Sequence, residues 1–422
     1  MAPIVRFMHI ESSSGLLLVA CTVLALALAN SPLAGAVAAF WRLPCEIKVG
    51  GWSLRKDLLH VVNDGLMTIF FFIVGLEIKR EMVHGELREL RKAALPIIAA
   101  IGGMAAPALV YFVLWRFLGL GPAAERGWAI PMATDIAFVV GILALFGARV
   151  PFGLKLLLLT LAIVDDLGAV LVIALVFSDR LELAALGLGL LGVAATGLMN
   201  WIGVRRVGAY VVVGALVWLA VLKAGIHPTV AGVLLGLMTP TNPWVPTNVL
   251  LRVWDGLLDR LGQEEESEEE RHEAWRRARF ALRESISPLD RLEAALHPWV
   301  AYGIMPLFAL ANAGVTIRPE ALFEPVALAI AAGLTVGKPL GILLTCWGAV
   351  RLGAAQLPAG VTPASLAGGA CLAGIGFTMS LFLVGLALPD SLIDAGKIGT
   401  LAGSAVSTLL GAAILWRLPP AR

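Results

Sequence analysis

Charged side chains are what this chain has least of. Asp, Glu, Lys and Arg make up 15% of its 422 residues, whereas 59% are hydrophobic. A soluble domain of that length carries more charge, so a soluble fold is excluded and a membrane protein is expected. Cysteine is scarcer still, with four in all. Cys21, Cys346 and Cys371 fall in apolar stretches and Cys45 in a polar one, without ligand-like spacing, so neither a disulfide framework nor a zinc site is expected. The net charge of +2 says little about a partner; within a membrane protein no nucleic-acid partner is expected.

What the chain does have is long apolar runs. Crossing a bilayer takes roughly 20 apolar residues, and charged or Pro/Gly-rich breaks mark off twelve such stretches at about 12–30, 58–77, 93–118, 128–147, 151–177, 182–199, 207–223, 227–239, 295–314, 325–350, 364–388 and 395–416. The expected fold is an all-α polytopic membrane protein, one transmembrane domain over residues 1–422, with lipids around it. Of the 32 Lys and Arg residues, 21 lie in the termini and even-numbered loops and 10 in the odd-numbered loops, which places both termini on the cytoplasmic side of the membrane. The remaining one is Lys338, inside the tenth stretch. The first stretch has signal-peptide features, with Arg6, an apolar run and Ala27-Leu28-Ala29. It is expected to be retained, because its loss would leave an odd number of helices.

Two segments outside the spans have their own character. CEIKVGGWSLRKD (45–57) reads as an extracytoplasmic β-hairpin with a two-glycine turn. A lone hairpin is marginal in water, so its edge would gain by pairing with a second copy, and a homodimer is expected; the plainer alternative is an ordinary loop. The cytoplasmic loop 240–293 holds the acidic run from Glu264 to Glu270, then RHEAWRRARFALRE, where Glu273 precedes Arg277 by one helical turn. That reads as a solvated helix.

The apolar run LKLLLLTLAIVDDLGAVLVIALVF contains adjacent aspartates, Asp165 and Asp166. With Asp135 and Lys338 they are the ionisable groups nearest the bilayer centre, where charge is expensive and usually lines a path or pairs with another charge. Asp64 and Glu77 are weaker candidates. Neighbouring residues on a helix point about 100° apart, so Asp165 and Asp166 cannot both face one partner. In a poorly solvated site they titrate as a coupled unit. Lys338 is then either a proton carrier or a fixed counter-charge.

AIPMATDIAF around Asp135 and AGIGFTMSLF around Thr378 interrupt their spans with Gly, Pro and small polar residues, each in the middle of a triplet of spans. The triplets start seven spans apart and so cross in opposite senses, the pattern of inverted-topology repeats with a midplane site. Carboxylates, the Thr134 hydroxyl and freed carbonyls are hard oxygen ligands that suit Na+ or Li+. A cation and a proton competing for Asp165 and Asp166 under alternating exposure make an antiporter, which is neither an enzyme nor dependent on a cofactor. The plainer alternatives are a helix-capping Asp135 and a static Lys338 ion pair, with His227 as a packed or capping histidine. Of other functions, a passive cation channel or an intramembrane aspartyl protease built on Asp135 with Asp165 or Asp166 would also use buried aspartates.

FFFIVGLEIKRE (70–81), GWAIPMATDIAF (127–138), LAIVDDLGA (161–169), LHPWVAYGIMPLFALANAGV (296–315), VGKPLG (336–341) and GIGFTMS (374–380) together resemble the bacterial sodium/proton antiporter family NhaA, in order and over nearly the whole chain. The resemblance implies two discontinuous helices that cross at mid-membrane, around Asp135 and Thr378. Asp135 would neutralise helix N-termini and Lys338 the opposing C-termini. It also implies Asp166 as the principal sodium ligand, and Asp165 as the proton-exchanging partner that pairs with Lys338. Exchange would be electrogenic, with more than one proton per sodium. It further implies closure at acid pH through Glu77, Arg80, Glu81, His227, Glu293 and His297 near the cytoplasmic funnel, and dimerisation through the 45–57 hairpin. The acidic run Glu264–Glu270 departs from the family pattern as an insertion just before Glu293, so the pH set-point is not carried over.

Overall fold

A computed structural model describes residues 2–49, 52–178, 181–204, 206–261 and 268–419. The chain is almost entirely helical. The first helix, α1 (Ala2–Ala29), turns by 115° into the short α2 (Ala34–Trp41). Two antiparallel strands follow, β1 (Pro44–Val49) and β2 (Trp52–Asp57), in a register that sets Ile47 opposite Leu54 and Val49 opposite Trp52. Gly50 and Gly51, expected to form the turn, lie outside the described residues, as do Glu264, Glu265, Glu266 and Ser267 of the acidic run.

The next helix, α3 (Leu58–Val83), starts where Asp57 accepts the backbone N–H of His60, a side-chain cap on an otherwise orphaned donor. Then come α4 (Leu90–Phe117), a 3₁₀ segment Pro122–Met132, α5 (Ile136–Leu145), α6 (Phe152–Val176), α7 (Leu183–Ile202), α8 (Val207–Lys223) and α9 (Thr229–Leu237). Outside the span region, α10 (Thr247–Leu261) and α11 (Glu268–Glu284) form a helical pair. The chain ends with α12 (Pro288–Asn312), α13 (Pro325–Arg351), α14 (Pro363–Ala373), α15 (Phe377–Ala387) and α16 (Asp390–Trp416). Helix starts follow local chemistry: Ser287 accepts the Asp290 N–H with Pro288 at the first turn, and Thr362 and Ser365 form a capping box ahead of Pro363.

Among the described residues, seven helices are long and apolar enough to cross a membrane, or up to ten if each bent pair is one span. Twelve crossings are not reached by length and composition. The clearest shortfall is α9, whose nine residues extend only about 14 Å at 1.5 Å per residue against a hydrocarbon core of about 30 Å. It lies against α3 backbone to backbone: a Cβ on Gly75 would meet the Val233 carbonyl at 2.6 Å, and one on Gly236 would meet backbone atoms of Gly75 at 2.9 Å. Small residues that let helices approach this closely are how helices associate in lipid, where no hydrophobic force separates them from solvent. Outward-facing Leu175, Leu188, Leu216 and Leu344 are exposed, as lipid-facing side chains would be.

Candidate functional site

Two helices break at the centre of the molecule, and each break has a local cause. After the 3₁₀ segment, Ala133 and Asp135 are extended, and the chain bends by 41° into α5. Pro131 contributes no backbone donor there, and the Asp135 carboxylate supplies a competing cap. After α14, Gly374, Ile375 and Gly376 carry the chain through a 42° bend into α15. A side chain at Gly374 would meet the Ser407 hydroxyl at 2.7 Å, so the peptide can pass there only as glycine.

The two breaks are tied to each other. The Asp135 N–H donates to the Ile375 carbonyl at 2.7 Å, and the Ser380 hydroxyl donates to the Ile130 carbonyl at 2.7 Å. Asp135 also caps both of the helices that leave the breaks. One oxygen accepts the Phe138 N–H of α5 at 3.1 Å, and the other accepts the Thr378 N–H of α15 at 3.0 Å together with the Thr378 hydroxyl. A single negative charge therefore sits against two positive helix ends. Asp135, expected at the cation site, lies in the cavity wall with both its oxygens accepting capping hydrogen bonds.

On the other side of the breaks stands a positive charge. The preceding π-helical turn Gly333–Gly337 leads into Lys338, which has no solvent exposure. Its ammonium lies 2.7 Å from Asp165 Oδ2 and donates to the carbonyl of Met132, the last residue of the 3₁₀ segment. The Thr134 hydroxyl is shared between the same Asp165 oxygen at 2.7 Å and the carbonyl of Ala373, the last residue of α14, at 2.9 Å. Asp165, Lys338 and Thr134 thus form one buried cluster that touches the C-terminal ends of both broken segments.

Asp166 faces elsewhere. It lines a cavity of about 50 Å³ whose wall also includes Thr134, Asp135, Thr378, Glu77 and His297. Asp165 is not in that wall, as the turn of about 100° between neighbours requires. Both carboxylates are buried, and each retains one oxygen, Oδ1, without a hydrogen-bond partner. Buried polar atoms are rarely left so unless something else occupies or visits the site. Among the described residues no cluster of three or more His, Cys, Asp or Glu has metal-holding geometry. A cation held here would therefore use one or two carboxylates, completed by hydroxyl, carbonyl or water oxygens.

The six residues expected near the funnel separate into two places. Glu77 and His297 are in the cavity wall, Arg80 forms an ion pair with the buried Glu293, and Glu81 accepts the Glu86 N–H of its own loop at 3.1 Å. His227 does not join them. Its Nδ1 is 2.7 Å from the Thr229 hydroxyl and its Nε2 is 3.7 Å from Asp64, near the hairpin end of α3. Asp64 precedes Glu77 by thirteen residues, roughly 20 Å along a helix. The alternation of spans already places residue 227 on the odd-loop side, opposite the others, a signal present in the sequence. The residues not singled out in the sequence are Ser380, which lies inside the GIGFTMS motif, and Ser14, which reaches the cavity wall from α1.

The family model described as Na+/H+ antiporter 1 matches residues 5–415. Relatives named Na(+)/H(+) antiporter NhaA include one from Rhodopirellula baltica, 50% identical over 99% of this chain and 94% of its own length. One from Rhizobium meliloti is 45% identical over 97% and 93%. Acidiphilium cryptum has a relative named NhaA 2 that is 48% identical over 98% and 92%. A solved sodium proton antiporter from Methanocaldococcus jannaschii, at pH 8, aligns over 96% of this chain and 92% of its own with a TM-score of 0.47 and 14% identity, too loose a likeness to place any residue.

Proposed function

Because the chain belongs to the NhaA family of Na+/H+ antiporters, we propose that Asp166 is its sodium ligand and that Asp165 and Lys338 carry the exchanged protons. The protein is a sodium/proton antiporter, and transport by this family removes the protease and channel alternatives. The observation that carries the assignment is the asymmetry of the two aspartates: Asp165 is paired with Lys338 and stands outside the cavity wall, whereas Asp166 lines the cavity.

Sodium entering the cavity meets Asp166 first, with Thr134 and water oxygens near it. For Asp165 to take part in binding, its oxygen must leave Lys338, and a lysine without that counter-charge in a dry site gives up its proton readily. Cation and proton then exclude each other from one carboxylate pair. Loss of more than one proton per sodium would make the exchange electrogenic, with Li+ as an alternative cargo. Proton entry would drive sodium out of a bacterial cell, contributing to salt tolerance and pH homeostasis.

The rest of the reading has its own support. The two broken helices at Asp135 and Thr378 suit a pair of inverted repeats that cross at mid-membrane, with twelve crossings if α8 and α9 count with their neighbours. The Lys and Arg distribution supports cytoplasmic termini in the inner membrane. The unpaired edges of β1 and β2 suit a homodimer, and Glu77 and His297 in the cavity wall beside the Arg80–Glu293 pair support gating by pH, with Glu81 and His227 as further candidates.

Proteoliposomes holding a pH gradient test the assignment. Sodium and lithium, but not potassium, should collapse the gradient with the wild-type protein and not with Asp166→Asn. Full activity in that variant would remove Asp166 from the site.

A further inference from the structure

The helical pair α10 and α11 plays no part in the exchange site, yet one side of α11 is built for a surface. Ala278 and Ala281 are buried. Trp275, Leu282 and, just past the helix end, Ile286 are 52%, 43% and 49% exposed. At 100° per residue Trp275 and Leu282 fall within about 20° of each other, and Ile286 follows directly after the last turn. Arg279, Arg283 and Arg276, all exposed, follow on the same flank within about the next 100°. Phe280 lies outside this arc.

The charge is also graded along the helix. Its N-terminal end carries the exposed Glu268 and Glu269, while Arg276, Arg277, Arg279 and Arg283 run from its middle to its C-terminal end. That end is anchored to the span region. The Glu284 carbonyl accepts the N–H groups of Trp244 and Val245, Leu289 N–H donates to the Pro240 carbonyl, and Arg291 donates to the Arg283 carbonyl at 3.2 Å and the Glu284 carboxylate at 3.1 Å. Trp244 in turn sits against Gly203, at the end of α7. The C-terminal end of α11, with Arg283, is therefore the part tied to the span region, and the acidic end is the part farthest along the helix from it.

We propose that this face of α11 lies on the anionic phospholipid headgroups of the membrane that holds the protein, with Trp275, Leu282 and Ile286 at the acyl boundary and Arg276, Arg279 and Arg283 on phosphates. An amphipathic helix with aromatic and aliphatic residues beside arginines binds such an interface, and each basic residue near an anionic surface adds to the attraction. The glutamates at the far end are repelled by the same surface and set the tilt of the helix. The proposal rests on the membrane reading above. Its readout does not depend on transport, so its failure would leave the antiporter assignment standing.

The test is hydrogen–deuterium exchange across residues 268–286 of the full chain in nanodiscs of phosphatidylcholine alone, or of phosphatidylcholine with phosphatidylglycerol. Exchange should slow about tenfold or more when the anionic lipid is present. The slowing should vanish in the triple variant Arg276→Gln, Arg279→Gln, Arg283→Gln and weaken in high salt. Sodium-driven proton movement by the triple variant checks that it folds. Equal exchange in the two lipids would overturn the proposal. So would protection that persists in the triple variant, which would point to a second copy or another segment covering the face.

Discussion

Lys338 Nζ lies 2.7 Å from Asp165 Oδ2, and both side chains are sealed from solvent. Desolvation of two charges makes such a pair a weak source of net stability, but removing one partner leaves the other charge buried alone, at a cost of about 3–5 kcal/mol. Lys338→Ala should therefore lower the thermal stability of the purified protein by about that much. Combining it with Asp165→Asn, which removes the stranded carboxylate, should restore part of the loss. A single variant that melts like the wild type would mean that the pair is not formed.

Asp166→Asn keeps the shape of the side chain and leaves the Lys338 pair alone. Its melting temperature should stay near that of the wild type while sodium-driven proton movement falls to the level of empty vesicles. Isothermal titration with sodium provides a second measurement, and binding heat that survives the substitution would argue against Asp166 as the ligand.

Asp135 caps two helices, so Asp135→Ala should cost two caps at about 1 kcal/mol each. Thr378→Val removes one hydroxyl contact and leaves the N–H cap in place, so it should destabilise less. Chemical unfolding in detergent can rank the two, and the reverse order would show that the capping role has been misjudged.

Gly75 and Gly236 let α3 and α9 touch backbone to backbone. Gly236→Ala must push the helices apart, and overpacking of this kind costs about 1–3 kcal/mol. Gly35→Ala, where nothing stands within 4 Å of an added Cβ, is the control and should be near neutral. Melting curves of the two variants should differ clearly.

Much of this protein was legible in one dimension. A low charge content and long apolar runs determine a membrane protein, because side chains in hydrocarbon cannot be charged without a reason. For the same reason the few exceptions, Asp135, Asp165, Asp166 and Lys338, stand out by residue type alone. The 100° step along a helix already separates Asp165 from Asp166. What no sequence pattern contains is which way each one turns. The pairing of Lys338 with Asp165 rather than Asp166 comes from how α13 packs against the break that follows Met132. The engagement of both Asp135 oxygens depends on α15 starting beside α5, which brings Thr378 to Asp135 from 243 residues away in the chain. The separation of His227 from Glu77, by contrast, already follows from the alternation of spans. The sequence determined which groups had to be accounted for inside the membrane, through the cost of burying charge. Only the tertiary structure decided their partners, because hydrogen bonds and ion pairs are set by distances of a few ångströms between helices remote in sequence.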